Sequence, residues 1–366
     1  MDIKGLKIYF TENQKLKITE DLNDILNTGQ LASGKYVETF EKNWSEFNKC
    51  KYGIAVSNGG AALEVIFRSL DLKNKEVIMP TNTFIATYNA AMFAGAKPIL
   101  ADVSYKNMCL DLDNIKKNYN KNTGAVCVVH IGGIITDEIL EIKKFCEENN
   151  IYLIEDAAHA HGSTFDKMHS GEFGIAAAYS FFSTKTFTSG EGGMVLTNDK
   201  DISEKTKSLR DYGKKSQWES VHTVFSGNFR MSNLTASVGN NHISEINNFL
   251  EKRSKIADMY TKNLSDKYEK ILPINGESGW YKYIVYLPKG IDKAEFKNDC
   301  KKEGLSLPGG VYDQPIHLQP VFDGNYKKGS FPKAEEVCER HICLPIYPNL
   351  SDEEVNQTLK ILNKTL

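Results

Sequence analysis

The feature that most limits what this chain can fold into is an alternation running through residues 52–197. Short runs rich in Val, Ile and Ala are each followed by a polar or glycine-bearing turn and, for most, a helical pattern. KYGIAVS (51–57) reads as a strand, followed by NGG and the helical AALEVIFRSL. EVIMP is a second strand, ahead of a helical run over 84–93, and PILADV follows. AVCVVH precedes a helix over 137–148, whose Ile139, Leu140, Ile142, Phe145 and Cys146 form one broad apolar face. IYLIED, AAAYSFF and GMVLTN complete the series. Strands alternating with helices imply an α/β fold, a large and mostly parallel sheet sandwiched by helices.

After Met231 the texture changes. Residues 234–264 are expected to be mostly helical, with Val238, Ile243, Ile246, Leu250 and Ile256 apolar, leaving a first domain and entering a second. WYKYIVYL (280–287) reads as a strand and 293–303 as a helix. The tail SDEEVNQTLKIL reads as another helix, with Ser351 as N-cap before Glu354. The expected organisation is a large domain over 1–240, including the N-terminal segment, and a smaller α+β domain over 241–366.

Composition excludes several classes of function. With 366 residues there is chain enough for two domains. A net charge of −2 gives no overall attraction to nucleic acid or anionic membranes. No apolar run approaches the ~18 residues of a spanning helix, and MDIKGLKIYFTENQKLK lacks the apolar core of a signal peptide. Seven cysteines without a paired CxxC framework suit a reducing cytoplasm. Cys338 and Cys343 have no second pair at zinc-site spacing. No repeat of 20–50 residues is present.

Parallel sheets bind ligands at the carboxyl ends of their strands, and three polar features fall there. Ser57-Asn58-Gly59-Gly60 joins a strand to a helix, where backbone N–H groups and the helix dipole favour a phosphate; a tight turn needing glycine is the plainer alternative. Glu155-Asp156-Ala157-Ala158-His159-Ala160-His161 follows the apolar IYLI. A carboxylate at the end of a buried strand is costly unless something cationic or hydrogen-bonding meets it. The alternatives are an N-cap or core ion pair, or a metal site on Asp156, His159 and His161, although no further ligand recurs at helical spacing nearby. The third feature is Lys185, in SFFSTKTFTSGEGG, with no carboxylate neighbour and a glycine-rich turn after it. A desolvated lysine is nucleophilic and forms imines. A phosphate cradle, an acid for a pyridinium nitrogen and an imine-forming amine are what pyridoxal 5′-phosphate (PLP) needs.

The sequence resembles the DegT/DnrJ/EryC1/StrS family of PLP-dependent sugar aminotransferases over nearly its whole length. The resemblance rests on GKYVETFEKNW, AVSNGGAALE, VIMPTNTFIAT, GAKPILADV, VVHIGG, LIEDAAHAHGS, SFFSTKTFTSGEGG and GNFRMSNLTASVG, in that order. It implies the fold type I architecture of PLP-dependent transferases, related to aspartate aminotransferase. It implies Lys185 as the imine-forming and catalytic residue, Asp156 as the partner of the pyridine nitrogen, and Phe84 as the aromatic that stacks on the ring. Gly59, Gly60 and Ser180 would hold the phosphate, joined by Asn228 from the partner subunit of a homodimer. His159 stands where many relatives carry glutamine and would orient the cofactor near its 3-hydroxyl. Gly60 stands where threonine is usual, so one hydroxyl contact is absent. Tyr312 and His317, in VYDQPIHLQPVF, fall in a loop the family places near the substrate; His130 and His161 are read as structural.

The resemblance implies amino transfer from an amino acid, glutamate being the expected donor, to a keto group of a nucleotide-linked deoxysugar in glycan or polysaccharide biosynthesis. The family's dehydratases carry histidine in place of this lysine, so Lys185 disfavours dehydration. The N-terminal LKIYFTENQKLKITEDLNDIL lacks the proline-bearing opening common among the sugar-nucleotide enzymes. A small phosphorylated ketone such as dihydroxyacetone phosphate, or a cyclitol ketone, is therefore the alternative acceptor. A non-catalytic regulator that binds PLP or a sugar nucleotide is the reading from another class; loss of Lys185 or Asp156 would mark it, and both are present.

Overall fold

The computed structural model describes residues 2–216 and 219–366. Seven strands form its main sheet: β1 (Tyr52–Val56), β2 (Glu76–Pro80), β3 (Lys97–Ala101), β4 (Thr123–Val129), β5 (Tyr152–Asp156), β6 (Ala176–Ser180) and β7 (Gly193–Thr197). Their spatial order is β1-β7-β6-β5-β4-β2-β3. β7 runs antiparallel to both its neighbours, and the remaining pairs are parallel. Every residue of β6 and β7 is buried, which is why these strands read as continuous apolar runs instead of alternating ones. The expected α/β sheet is the one found.

Helices follow the strands where turn chemistry starts them. Asn58 caps the helix Gly59–Ser69, its Oδ1 accepting the Ala61 N–H at 2.8 Å. Asp199, Ser232, Asp292 and Ser351 cap later helices the same way, and Ser351 with Glu354 forms the expected capping box.

The smaller body has three antiparallel strands, β8 (Glu269–Ile271), β9 (Tyr283–Tyr286) and β10 (His341–Leu344). Its core joins Ile256, Tyr260, Val285, Phe296, Leu344 and Leu359. Three expectations change here. The long helical stretch is two helices, Asn233–Ile243 and Ile246–Asn263. The first packs on the large domain, with Gly239 against the Phe40 ring. The second has Phe249 in the large-domain core and Ile256 and Tyr260 in the small one, so the passage between domains lies within this helix, after residue 240. The first residues of the chain belong with the smaller body: Ile3 lies in its core, exchanging hydrogen bonds with Gly304 and Ser306. The expected strand over 280–287 starts at Tyr283, because Trp280 adopts a left-handed backbone (φ 49°) that extended pairing cannot accommodate.

All seven cysteines are buried and free. His161, His242 and His341 are buried and have lowered pKa values, at about 3, about 4 and about 4, in each case mainly through desolvation. They stay neutral in the folded chain but take up protons on unfolding below their ordinary value near 6.5. The unfolded state therefore binds more protons, and stability falls as pH drops from 6.5 toward 4. Each contributes roughly 1.4 kcal/mol per pH unit within that window. Urea titrations at pH 7, 5.5 and 4.5 should show this decline, and His161→Phe, which removes one protonation from an aromatic cage, should flatten it.

Candidate active site

Five chain segments meet at the carboxyl edge of the sheet. Strand alternation sends the two acids of Glu155-Asp156 in opposite directions. Glu155 turns into the structure, paired with His130 Nε2 at 2.9 Å and accepting the N–H groups of Gly171, Phe173 and Gly174. Its burial is thereby satisfied, and its role is structural. Asp156 turns toward the site. Its Oδ2 accepts the Thr87 hydroxyl at 2.8 Å and its Oδ1 the Ala158 N–H at 3.2 Å. Burial raises its pKa, while the Thr87 and Ala158 hydrogen bonds and the charge of Lys185 oppose the rise.

Lys185 sits in the loop between β6 and β7. The Phe181 N–H donates to the Gly192 carbonyl and the Ser189 N–H to that of Phe181, which fixes the loop's base. The ammonium has a lowered pKa because it is desolvated; Tyr281 and Asp156 pull it back up and Lys282 pushes it further down. Asp156 and Lys185 feel each other's charge, yet no ion pair joins them. The structure thus brings together the amine and the carboxylate on which the sequence reading rests.

The glycines after Lys185 permit a close approach. Gly193 pairs with Val56 on one side and Ser180 on the other. A Cβ on it would stand 2.2 Å from the Asn58 carbonyl oxygen. A Cβ on Gly59 would meet that of Ser180 at 2.8 Å. Gly59 and Ser180 therefore meet beside the start of a helix, with Gly60 next in the chain, an arrangement that could hold a phosphate. The Ala61 N–H is already taken by Asn58, leaving the N–H groups of Gly59 and Gly60 to face an anion.

Phe84, just before the helix Ile85–Phe93, leaves its ring 59% exposed. It lies beside Tyr312, centroids 6.4 Å apart and planes 22° from parallel. The Tyr312 hydroxyl reaches His159 Nε2 at 3.5 Å, and the Gly132 N–H donates to His159 Nδ1 at 3.3 Å. Desolvation and nearby Lys185 hold the His159 pKa well below its ordinary value, so this ring is neutral. Since Nδ1 accepts, the proton sits on Nε2.

Other sequence candidates lie elsewhere. His317 is buried, with Nδ1 on the Thr81 hydroxyl at 2.8 Å and Nε2 on Glu335 at 3.1 Å; both nitrogens are used in holding its loop. His161 sits in a cage of Trp44, Tyr179, Phe181 and Phe187. Asp156, His159 and His161 do not converge: among the described residues no group of three could hold a metal ion. Asn228 is exposed on the segment 211–230, its Oδ1 accepting the Arg230 N–H, and is not part of this chain's Lys185 compartment. A concavity of about 770 Å³ lies beside that segment, lined by Gly34, Arg210, Tyr212 and Arg230 among others and not by Lys185. Sequence reasoning missed Thr87, one helical turn beyond Phe84, and Tyr281, whose motif reads only as a strand.

Comparison with known proteins places the whole chain in a family. The sequence profile of the DegT/DnrJ/EryC1/StrS aminotransferase family matches residues 12–363. This chain belongs to that family. It is 32% identical to GDP-perosamine synthase of Vibrio cholerae, over 92% of each chain. It is 28% identical to a dTDP-3-amino-3,6-dideoxy-alpha-D-galactopyranose transaminase of Aneurinibacillus thermoaerophilus, over 95% of each. The fold superposes on a crystal structure of NtdA from Bacillus subtilis with bound cofactor PMP at a TM-score of 0.91 and 25% identity, covering all of this chain and 86% of that one. The donor set fits such a cofactor: a buried carboxylate free of any ion pair, an amine without a carboxylate partner, an exposed aromatic face and a cradle that any side chain would fill.

Two substitutions test the geometry. Thr87→Val removes a hydrogen bond that favours the Asp156 carboxylate, so the Asp156 pKa rises and the acid limb of the pH–rate profile should move to higher pH. Gly193→Ala forces the Asn58-Gly59 turn outward, and equilibrium dialysis should show cofactor affinity falling at least tenfold while the fold is retained.

Proposed function

We propose that this protein transfers an amino group from an amino acid, glutamate by preference, to the keto carbon of a nucleotide-linked deoxysugar. The supporting observation is the shared compartment of Asp156 and Lys185, one a carboxylate held by two hydrogen bonds, the other a desolvated amine. Asp156 would keep a proton on the cofactor's pyridine nitrogen, and when bound the cofactor supplies an electron sink. Phe84 would cover the ring, His159 Nε2–H would orient it, and Gly59, Gly60 and Ser180 would hold its phosphate. Lys185 Nζ would serve as the base that takes the proton from the donor's Cα, and in the return half as the acid that delivers one to the acceptor carbon. Burial lowers its pKa, which favours the neutral amine needed to take up a proton.

The nucleotide-sugar acceptor is supported by the two curated relatives, whose names carry GDP- and dTDP-linked sugars. A small keto phosphate is the competing substrate. We read the assembly as a homodimer in which the partner subunit's Asn228 completes the phosphate cradle. The segment 211–230 exposes Tyr212, Val221, Val224 and a fully exposed Phe225 beside it, an apolar surface that a second copy would cover.

Incubation with glutamate and a panel of GDP-, dTDP- and UDP-linked keto sugars, followed by mass spectrometry, should show exchange of a keto oxygen for an amine in the sugar series. Amination confined to small keto phosphates would reverse the acceptor assignment. Lys185→Ala should lower turnover by about 10³-fold or more. Asn228→Ala should weaken cofactor binding roughly tenfold. At limiting cofactor, mixing Lys185→Ala with Asn228→Ala should give more activity than the sum of the two alone, through hybrid dimers, and no gain at all would contradict a shared site.

A further inference from the structure

Among the described residues nothing hydrogen-bonds or ion-pairs with Lys185 Nζ. It lies over the ring of Tyr281, 4.8 Å from the centroid, and Lys282 Nζ lies over the same ring at 5.2 Å. The other ring at Tyr281 is His159, stacked at 4.5 Å with planes 27° from parallel. Tyr281 thus touches both the proposed reacting amine and the residue that would orient the cofactor.

The backbone on either side of Tyr281 is fixed with unusual effort. Trp280 takes a left-handed conformation (φ 49°), strained for a bulky residue. Its N–H donates to Ser278 Oγ at 3.0 Å, and its carbonyl accepts from Arg253 Nη1 at 2.8 Å. Arg253 is 5% exposed; its Nη1 bonds only the carbonyls of Trp280 and Ile346, and no carboxylate among the described residues pairs with it. Burying a guanidinium that way is costly. On the other side the Lys282 N–H donates to the Gly132 carbonyl at 3.2 Å, and the N–H of the same Gly132 holds His159. Strain, a buried unpaired cation and a bridging glycine all converge on the placement of one ring.

We infer that Tyr281 is a positioning residue: its ring is the surface on which Lys185 Nζ rests whenever it is not bonded to the cofactor, and Arg253 sets that ring through the Trp280 carbonyl. This rests on reading Lys185 as the reacting amine. A freed lysine has a four-carbon stem and many rotamers. Proton transfer needs the nitrogen within reach of the donor's Cα, so restricting it to one surface raises the productive fraction. The face of the ring does this, and the hydroxyl is not required.

The test uses the full chain with lysine labelled at the ε carbon, prepared without cofactor and in the pyridoxamine phosphate form, both of which leave Lys185 free. The Lys185 ε protons, assigned by the signal lost in Lys185→Ala and told apart from those of Lys282 over the same ring by Lys282→Met, should show an upfield ring-current shift in wild type and in Tyr281→Phe, and lose it in Tyr281→Leu. Arg253→Met should reduce it. In single-turnover reaction with glutamate, Tyr281→Phe should stay within about twofold of wild type. Tyr281→Leu should slow at least tenfold, with the cofactor dissociation constant unchanged within about twofold. A wild-type protein without the shift, a Phe variant as slow as Leu, or a loss that follows cofactor affinity would each overturn the inference. The shift is read without turnover, so it separates this contact from the functional reading: a normal shift with no reaction of wild type toward any amino donor would overturn both the reading of Lys185 and the role built on it.

Discussion

Two opposite charges held out of water without being allowed to neutralise each other are the constraint around which this molecule is arranged. Closing Asp156 onto Lys185 would relieve the desolvation of both. The fold prevents that by satisfying Asp156 locally, through Thr87 and the Ala158 amide, and by seating Lys185 against an aromatic ring. Each charge therefore keeps part of its cost and remains available to a third group. This separates the pair from the buried hydrogen-bonded contact His130–Glu155, only one residue away, where both carboxylate oxygens of Glu155 have partners.

The sheet supplies the distances. β5 ends in Asp156 and β6 in Ser180, adjacent and parallel, so both side chains emerge on the same edge. The antiparallel β7 then brings its first residue, Gly193, back to that edge between Val56 and Ser180. The loop returning to it is the one that carries Lys185. Only glycine fits at that crossing, since a Cβ would enter the Asn58 carbonyl. The Gly59–Ser180 contact, proposed to hold the phosphate, and the lysine loop are consequently built on a single backbone contact.

Much of this was legible in the sequence, for a physical reason. Asp156, Ser180, Gly59 and Phe84 lie at or just past the ends of strands, and a buried strand announces its end by the abrupt change from apolar to polar residues. Lys185 stood out because no charge surrounds it. Residues that reach the site from distant elements gave no such sign. Thr87 looks like any helix residue until Asp156 is placed beside it, and Tyr281 and Arg253 come from elements 68 or more positions after Lys185. Trp280 is left-handed with no glycine to signal it. The break between Asn233–Ile243 and Ile246–Asn263 likewise has no proline or glycine at residues 244–245; packing on two different cores imposes it.

The central claim is that one particular amine reacts with the cofactor's aldehyde. Borohydride reduction of the protein loaded with PLP, followed by peptide mapping, asks this without reference to any acceptor. A pyridoxyl group on Lys185 and on no other lysine is the predicted result; label on a different lysine, or none after full loading, would contradict the account.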